Sequence, residues 1–254
     1  GSGELIKNSE KDITIQVKRY FESYRAKRAN KFIVYFQNFT NTYDTIENLR
    51  KKYNAALIDD RIVGIEIATR PDCINEGIAK LISEYSKRYY VCVELGLQTS
   101  NDEIGKIINR CYTSKQFSEA VKILRKYNID VVAHIMVGLP TETAEDIANT
   151  VEFINNHDVQ GIKIHSTYVV KNTKLAKMYE TGEYEPILLE YYLEKLEYII
   201  THLREDIVIH RISGDAPKDL LIAPEWNLHK KWVLNGIDKI LKEKNEWQGM
   251  WIKL

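Results

Sequence analysis

The sequence predicts an α/β fold, a partial (β/α) barrel with a C-terminal helical extension, on two observations. First, amphipathic stretches of helical length alternate with five apolar strand-like runs, which start near Lys31, Arg61, Tyr89, Asp130 and Gln160. Second, the polar residues of each run fall on alternate positions and so share one face of the strand, as Glu94, Gly96 and Gln98 do in VCVELGLQ. Helices that connect parallel strands cover one face of the sheet. The alternating polar residues are therefore expected on the other face, which lines the lumen of the barrel.

The same periodicities place the elements in order. Strands are predicted over 31–37, 61–68, 89–97, 130–137, 160–168 and 207–210. Helices are predicted over 9–29, 44–57, 75–87, 101–109, 115–127, 143–156, 187–203 and 228–243. The rhythm breaks after Asn172, so we expect a barrel over 1–172 and an extension over 173–254 that packs on it. The predicted order begins with a helix, so the first strand of the barrel is missing and the barrel is expected to be open. Gly1-Ser2-Gly3 fits either an expression scar or native sequence.

Seven polar side chains are expected to face the lumen: Glu66, Arg70, Glu94, Gln98, His134, Lys163 and His165. An uncompensated ion buried there costs several kcal/mol, so these groups must pair with each other or with something polar. A polar ligand inside the barrel explains them most economically. The alternative is a self-satisfied cluster in which Glu66 or Glu94 pairs with Lys163.

Composition narrows the function classes. The 254 residues hold 36 Lys plus Arg against 36 Asp plus Glu, so no global field attracts nucleic acid or membrane. A basic first helix leaves a local nucleic-acid surface open. No apolar segment approaches the roughly 20 residues of a membrane span, and no signal peptide is evident, which predicts no membrane contact and a cytoplasmic location.

The cysteines do not form a metal-binding pattern. Cys73, Cys92 and Cys111 contain no C-x-x-C pair, and the histidines lack zinc spacing. The three cysteines are predicted to be reduced structural thiols, and no metal site is predicted in this chain.

Polar segments at the predicted strand ends lie where parallel barrels gather their functional residues. They read QNFTNT, TRPD, ELGLQT, GLPTE and HST. Any one of them fits ordinary turn or cap chemistry. All five on the same rim favour a ligand site.

These residues resemble a known family. FQNFTNTY, IATRPDC, VELGLQT, HIMVGLPTET, IKIHSTYVVKNTKLA and IHRISGDAPKDLLIAPEW look like the Elongator-catalytic-subunit/YhcC-like branch of radical S-adenosylmethionine (SAM) proteins, in particular the YhcC/YtqA group. The resemblance runs from about Gly1 to Asp238. It implies a partial barrel whose first strand leads to a Cys-x-x-x-Cys-x-x-Cys loop that binds a [4Fe-4S] cluster, with SAM on the fourth iron. That motif is absent from this sequence, so the chain by itself is expected to be inactive.

The resemblance also implies roles for individual residues. Gln37, Thr40 and Asn41 would meet the SAM amine, and the remaining cofactor-binding candidates are Arg70, Glu94, Gly96, Gln98, His134, Gly138, Pro140 and His165. Glu94 and Gln98 fit the ribose and carboxylate, and the Gly138-Leu139-Pro140 turn fits the adenine. Substrate candidates are Lys163, His210, Arg211 and Asp215. Two departures concern turns. Thr141 stands where relatives often have Gly, and Asn172 replaces the Gly of the turn after the last strand, although Asn tolerates the left-handed conformation.

The function implied is reductive cleavage of SAM to a 5'-deoxyadenosyl radical, with a wobble-uridine side chain of tRNA as substrate and flavodoxin or ferredoxin as electron donor. No catalytic residue is assigned. Two alternatives remain: a Schiff-base barrel lyase that uses Lys163, and a non-catalytic nucleic-acid-binding module that uses the basic first helix.

Overall fold

The computed structural model describes residues 12–252, in which strands and helices alternate. The strands are Phe32–Phe36 (β1), Ile62–Thr69 (β2), Tyr90–Gln98 (β3), Asp130–Val137 (β4), Gly161–Ser166 (β5), Val169–Val170 (β6), Val208–Arg211 (β7) and Leu221–Ala223 (β8). The helices are Ile13–Glu22 (α1), Ile46–Asn54 (α2), Glu76–Ser86 (α3), Asp102–Ile107 (α4), Ser114–Lys126 (α5), Ala144–Asn155 (α6), Lys174–Glu180 (α7), Leu189–His202 (α8) and Lys230–Lys244 (α9). Short 3-10 helices cover Ala26–Arg28, Pro71–Cys73 and Glu225–Leu228.

Six strands form one sheet in the order β1-β2-β3-β4-β5-β7. Pairing is parallel between β1 and β2, β2 and β3, β4 and β5, and β5 and β7. Parallel strands need crossover connections, and helices supply them along the chain. The predicted α/β class is therefore confirmed.

Local capping explains where several helices begin. The side chains of Thr45, Asn75 and Thr143 each accept a hydrogen bond from a backbone N–H of the first turn. At α6 the cap is reciprocal, because Asp146 also accepts from the Thr143 N–H. These three helices begin within two residues of the predicted positions.

The chain divides into two compact units. Among the described residues, the N-terminal unit comprises 12–96 together with Glu119–Val131, and the C-terminal unit comprises Leu97–Ser118 together with 132–252. Each unit has its own buried apolar side chains, such as Leu49 and Ile65 in the first and Phe117 and Leu196 in the second. The predicted division at residue 172 stays a prediction.

Some element bounds differ from the predictions. α1 ends at Glu22 rather than 29, where Ser23 adopts an extended conformation, and its predicted start at residue 9 lies outside the described residues. β5 ends at Ser166 rather than 168, and Val169–Val170 pairs instead with β8 in an antiparallel ribbon. α7 and this ribbon were not predicted. The short strand predicted over 207–210 corresponds to β7, which is the sixth strand of the main sheet.

Across residues 12–252, none of the helices has both the length and the apolar character that crossing a membrane requires.

Candidate functional site

In the N-terminal unit, the loop after β1 is held by its own predicted site residues. The Asn41 amide nitrogen donates to the carbonyls of Phe36, Asn38 and Ala68, each at 3.0 Å. The Thr40 hydroxyl lies 2.7 Å from the Thr69 hydroxyl. Asn41 is buried and its amide nitrogen is bonded to carbonyls of β1, β2 and the loop itself, whereas Gln37 is exposed. In this arrangement Asn41 positions the loop.

Glu94 is the most deeply buried carboxylate of the predicted set, at 1% exposure. It accepts a 2.6 Å hydrogen bond from the Tyr35 hydroxyl. A charge-assisted bond of this kind stabilises a buried anion. Gly96, two positions further along β3, is half-buried.

Arg70 makes a bidentate ion pair at the end of β2. Its Nε and Nη2 donate to the two carboxylate oxygens of Asp72 at 2.9 and 2.6 Å. The side chain is 41% exposed, so this pair lies at the surface of the unit.

In the C-terminal unit, both backbone groups of Gly138 are held by side chains. Its N–H donates to Glu142 Oε2 at 2.7 Å, and its carbonyl accepts from the Tyr184 hydroxyl at 2.7 Å. Gly138 has a φ of +84°, and a Cβ added there would lie 2.8 Å from Ile187 Cγ2. Conformation and packing therefore both require glycine, because Ile187 packs directly beside the Gly138 Cα. Pro140, two residues on, is buried.

Glu142 has an unusual protonation equilibrium for a carboxylate. Burial raises its pKa from 4.5 to about 7, against the lowering effect of the hydrogen bond from the Gly138 N–H. The group that fixes the Gly138 turn therefore titrates near neutral pH.

A buried hydroxyl lies beside this turn. Thr167 is 3% exposed, and within the described chain its Oγ1 has no hydrogen-bond partner. Its Cβ lies 3.8 Å from the position of a Cβ on Gly138. An orphaned buried hydroxyl costs about 1–3 kcal/mol, which a polar ligand at the turn would offset. A polar group placed beside Thr167 would satisfy this hydroxyl.

Three predicted lumen residues meet on β4 and β5. His134 pairs in register with Lys163, and Met136 pairs with His165. The His134 and His165 rings lie 5.2 Å apart between centroids, which confirms that these two side chains share a face. Lys163 is buried at 9% exposure. Gln98 ends β3 at a φ of +60°, and its Oε1 accepts from the Tyr112 hydroxyl at 2.8 Å.

The two family departures both fall on left-handed backbone. Thr141 has a φ of +64° and Asn172 a φ of +64°. Glycine is the usual residue for this conformation, asparagine is tolerated, and a β-branched residue is an outlier. The substitution at Thr141 therefore carries backbone strain, while the one at Asn172 is accommodated.

The substrate candidates after β5 separate into two places. Arg211 Nη2 lies 3.5 Å from Asp215 Oδ2 at the end of β7. His210 lies beside Gly161, the first residue of β5, with Nε2 2.6 Å from the position of an added Cβ. Because β5 and β7 are parallel, His210 lies at the opposite end of β5 from Ser166.

The described residues do not fit an iron-sulfur ligand set. Cys73 is half-buried, Cys92 is buried and Cys111 is exposed. Burial and the nearby Glu66 carboxylate raise the pKa of the Cys92 thiol, which disfavours the thiolate that iron needs. Over residues 12–252, no group of three or more His, Cys, Asp or Glu side chains is placed to hold a metal ion.

Sequence reasoning missed three residues of these arrangements. Tyr35 shares the polar parity of β1, so its position was a usable signal. Glu142 belongs to the GLPTE segment, but nothing local indicated that it would bond back to Gly138. Tyr184 follows α7 and reaches Gly138 across 46 positions, a contact that only the fold creates.

Comparison with known proteins assigns the class. The model of the radical SAM superfamily matches residues 5–154, and that of the Radical_SAM C-terminal domain matches residues 159–243. The first match alone covers more than half of the chain. The chain belongs to the radical SAM superfamily.

Individual relatives agree with this class. The chain is 37% identical over 250 residues to protein YtqA of Bacillus subtilis, which covers 98% of this chain and 78% of that protein. It is 30% identical over 167 residues to the tRNA uridine(34) acetyltransferase of Methanocaldococcus jannaschii, covering 65% of this chain and 30% of that protein. The resemblance to the Elongator-catalytic-subunit/YhcC-like branch is confirmed.

A solved structure shares the fold. Elp3 of Methanocaldococcus infernus with an N-terminal deletion superposes with a TM-score of 0.77 at 21% identity, over 93% of this chain. This chain spans 60% of that one, less than two thirds of its length. The fold class is that of the partial (β/α) barrel of radical SAM proteins.

Proposed function

We propose that the protein is a radical SAM enzyme whose Gly138 turn and Thr167 hydroxyl bind SAM. The observation that carries the proposal is the orphaned, buried Thr167 Oγ1 next to a turn whose backbone is fixed on both sides. Family membership supports the choice of SAM as the polar group. SAM bound there would supply radical chemistry that removes a hydrogen atom from a substrate, once the cluster of the joined segment delivers one electron to it.

The chain's own residues orient the ligand. Glu142 and Tyr184 occupy the Gly138 N–H and carbonyl, so the turn does not need to reorganise when a ligand arrives. Thr167 then donates to or accepts from the ligand without losing an internal bond. The other cofactor and substrate assignments stay predictions.

The substrate is proposed to be a uridine side chain in tRNA. Support comes from the relative whose name is tRNA uridine(34) acetyltransferase, with 30% identity over 167 residues. An electron donor such as flavodoxin or ferredoxin, and a cluster-binding segment joined to this chain, complete the proposed system. The family assignment favours this chemistry over a Schiff-base lyase built on Lys163.

The experiment uses the protein joined to a Cys-x-x-x-Cys-x-x-Cys segment, reconstituted anaerobically with iron and sulfide and reduced by dithionite. We expect 5'-deoxyadenosine and methionine to form from SAM, with Tyr184→Phe reducing the rate and Tyr179→Phe, an exposed tyrosine of α7, leaving it unchanged. Added tRNA should change the amount of 5'-deoxyadenosine or acquire a modification visible by mass spectrometry. Intact SAM, together with a borohydride-trapped adduct at Lys163, would support the lyase instead.

A further inference from the structure

A polar cavity of about 370 Å³ lies in the C-terminal unit beyond the end of β7. Asp215, Lys218, Asn227, His229 and Lys230 supply its polar lining. It adjoins the end of β5, because the Ser166 hydroxyl donates to Asn227 Oδ1. The cavity is therefore next to the strand ends but uses none of the residues of the Gly138 turn.

Asn227 has an unmet hydrogen-bond donor. It is 6% exposed, and its Nδ2 has no partner among the described residues. Leaving a buried donor unpaired costs about 1–3 kcal/mol. A side chain that lines a cavity in this state indicates a ligand with an acceptor oxygen.

The electrostatics of the cavity select an anion. α9, a helix of 15 residues, begins at Lys230, and its N-cap residue His229 makes no side-chain cap hydrogen bond. The first N–H groups of a helix lack intrahelical partners and carry partial positive charge. Lys218 and Lys230 add two full charges at the same place.

One carboxylate opposes this field, but cations already surround it. Asp215 lies 3.5 Å from Arg211 Nη2 and 4.0 Å from Lys230 Nζ. Arg211, Lys218 and Lys230 carry three positive charges, against the one negative charge of Asp215. The cavity therefore remains cationic after Asp215 has paired.

An aromatic pair extends from the cavity. The His229 ring, which lines it, stacks on the Trp232 ring with centroids 4.1 Å apart. Trp232 is 52% exposed, so part of its indole can be reached from solvent. A phosphate pocket beside an exposed indole is the combination that single-stranded nucleic acids use.

We propose that this cavity binds a phosphate of a single-stranded RNA segment, with the neighbouring base stacked on Trp232. The assignment rests on the proposed function, since it names where the RNA substrate is anchored near the strand ends. Asn227 and the N-terminus of α9 donate to the phosphate oxygens, and Lys218 and Lys230 neutralise its charge.

The test measures binding of a fluorescein-labelled oligouridylate by anisotropy over a series of KCl concentrations, with no SAM and no cluster. Lys218→Gln and Lys230→Gln should each weaken binding and reduce the salt slope by about 0.7. Trp232→Ala should weaken it by about five-fold to more than a hundred-fold, the equivalent of one lost stack. Asp215→Asn should tighten it, because it removes the opposing charge.

Matched controls lie on the same helix and just beyond it. Lys239→Gln removes an exposed lysine from α9, and Trp247→Ala removes an indole that is also 52% exposed. Both should leave affinity and salt slope unchanged, and circular dichroism confirms the folding of each variant. The assignment would be overturned if controls and site variants lost equal RNA affinity. It would also be overturned if the site variants lost none, a result that would point to the basic first helix instead. Binding of inorganic phosphate at this site without competition against RNA would also overturn it.

The outcomes separate this inference from the proposed function. RNA binding that depends on Lys230 and Trp232, in a protein that leaves SAM intact, would sink the proposed function alone. SAM cleavage with RNA affinity unaffected by the site variants would sink only the RNA site.

Discussion

The pKa of one side chain, Glu142, couples the Gly138 turn to pH. Burial raises this pKa from 4.5 to about 7, so the folded protein holds a proton there that the unfolded chain has lost. Stability is then highest below about pH 4.5, falls as the pH rises to about 7, and is level above that range as far as this group is concerned.

Glu142→Gln should remove this component of the pH dependence. The pKa difference of two to three units corresponds to about 1.36 kcal/mol per unit. After a discount for partial exposure, we expect the free energy of unfolding of the parent to fall by on the order of 2 kcal/mol between pH 4.5 and 7. Urea unfolding at a series of pH values measures it, with Glu145→Gln, an exposed neighbour, as control. A Glu142→Gln curve parallel to that of the parent would refute the assignment.

The Tyr35 hydroxyl is predicted to stabilise buried Glu94. Tyr35→Phe deletes the 2.6 Å hydrogen bond without changing the ring. A hydrogen bond to a charged group contributes about 1.5–3 kcal/mol, and we expect a loss of that size in the free energy of unfolding. Tyr43→Phe, at 80% exposure, should cost nothing measurable. Equal stability of the two variants would show that Glu94 does not depend on Tyr35.

Residue-level prediction from sequence worked where period two decides the face. His134 and His165 share a face because they occupy alternate positions of paired strands. Glu142 and Tyr184 could not be assigned a role in this way, because their partner is a backbone group whose place depends on the fold. Asn41 shows a further limit, because the sequence marks a polar residue at a strand end but not whether its amide bonds to a ligand or to backbone carbonyls.

Helix α6 offers a prediction at the scale of an element. The Thr143 side chain caps its N-terminus, while Thr141, two residues earlier, has a φ of +64°. Thr143→Ala should cost about 1 kcal/mol through the lost cap. Thr141→Gly should instead raise stability by up to about 1 kcal/mol, because relief of left-handed strain exceeds the entropy cost of glycine. Chemical denaturation distinguishes the two, and a destabilising Thr141→Gly would contradict the strain argument.

The described elements of eight or more residues were predicted from their periodicity, whereas the two short strands of the antiparallel ribbon were not. β4 lies at the predicted 130–137, since eight residues suffice to reveal alternation. β6 and β8 have two and three residues, and their pairing joins positions about fifty apart. β7 has only four residues, so its alternation revealed a strand but not its parallel partner.

For the whole molecule, the alternation of strands and helices predicted the α/β class, and the order of motifs predicted the family. Both are confirmed by the sheet and by the radical SAM matches. The ligand followed from the resemblance rather than from periodicity, because polar residues on one face indicate a polar ligand without naming it. The buried Thr167 hydroxyl, which has no partner among the described residues, adds physical support for a ligand.

The most direct test of SAM binding at the Gly138 turn is a calorimetric titration of SAM into the protein joined to a reconstituted cluster segment. Thr167→Val keeps the side-chain shape and should weaken SAM about two- to ten-fold, the value of one hydrogen bond, while leaving stability unchanged or higher. Thr201→Val should leave SAM affinity unchanged and lower stability, because the Thr201 hydroxyl is equally buried but donates to the Glu197 carbonyl at 2.9 Å. SAM that does not bind, or binds Thr167→Val as tightly as the parent, would contradict the account.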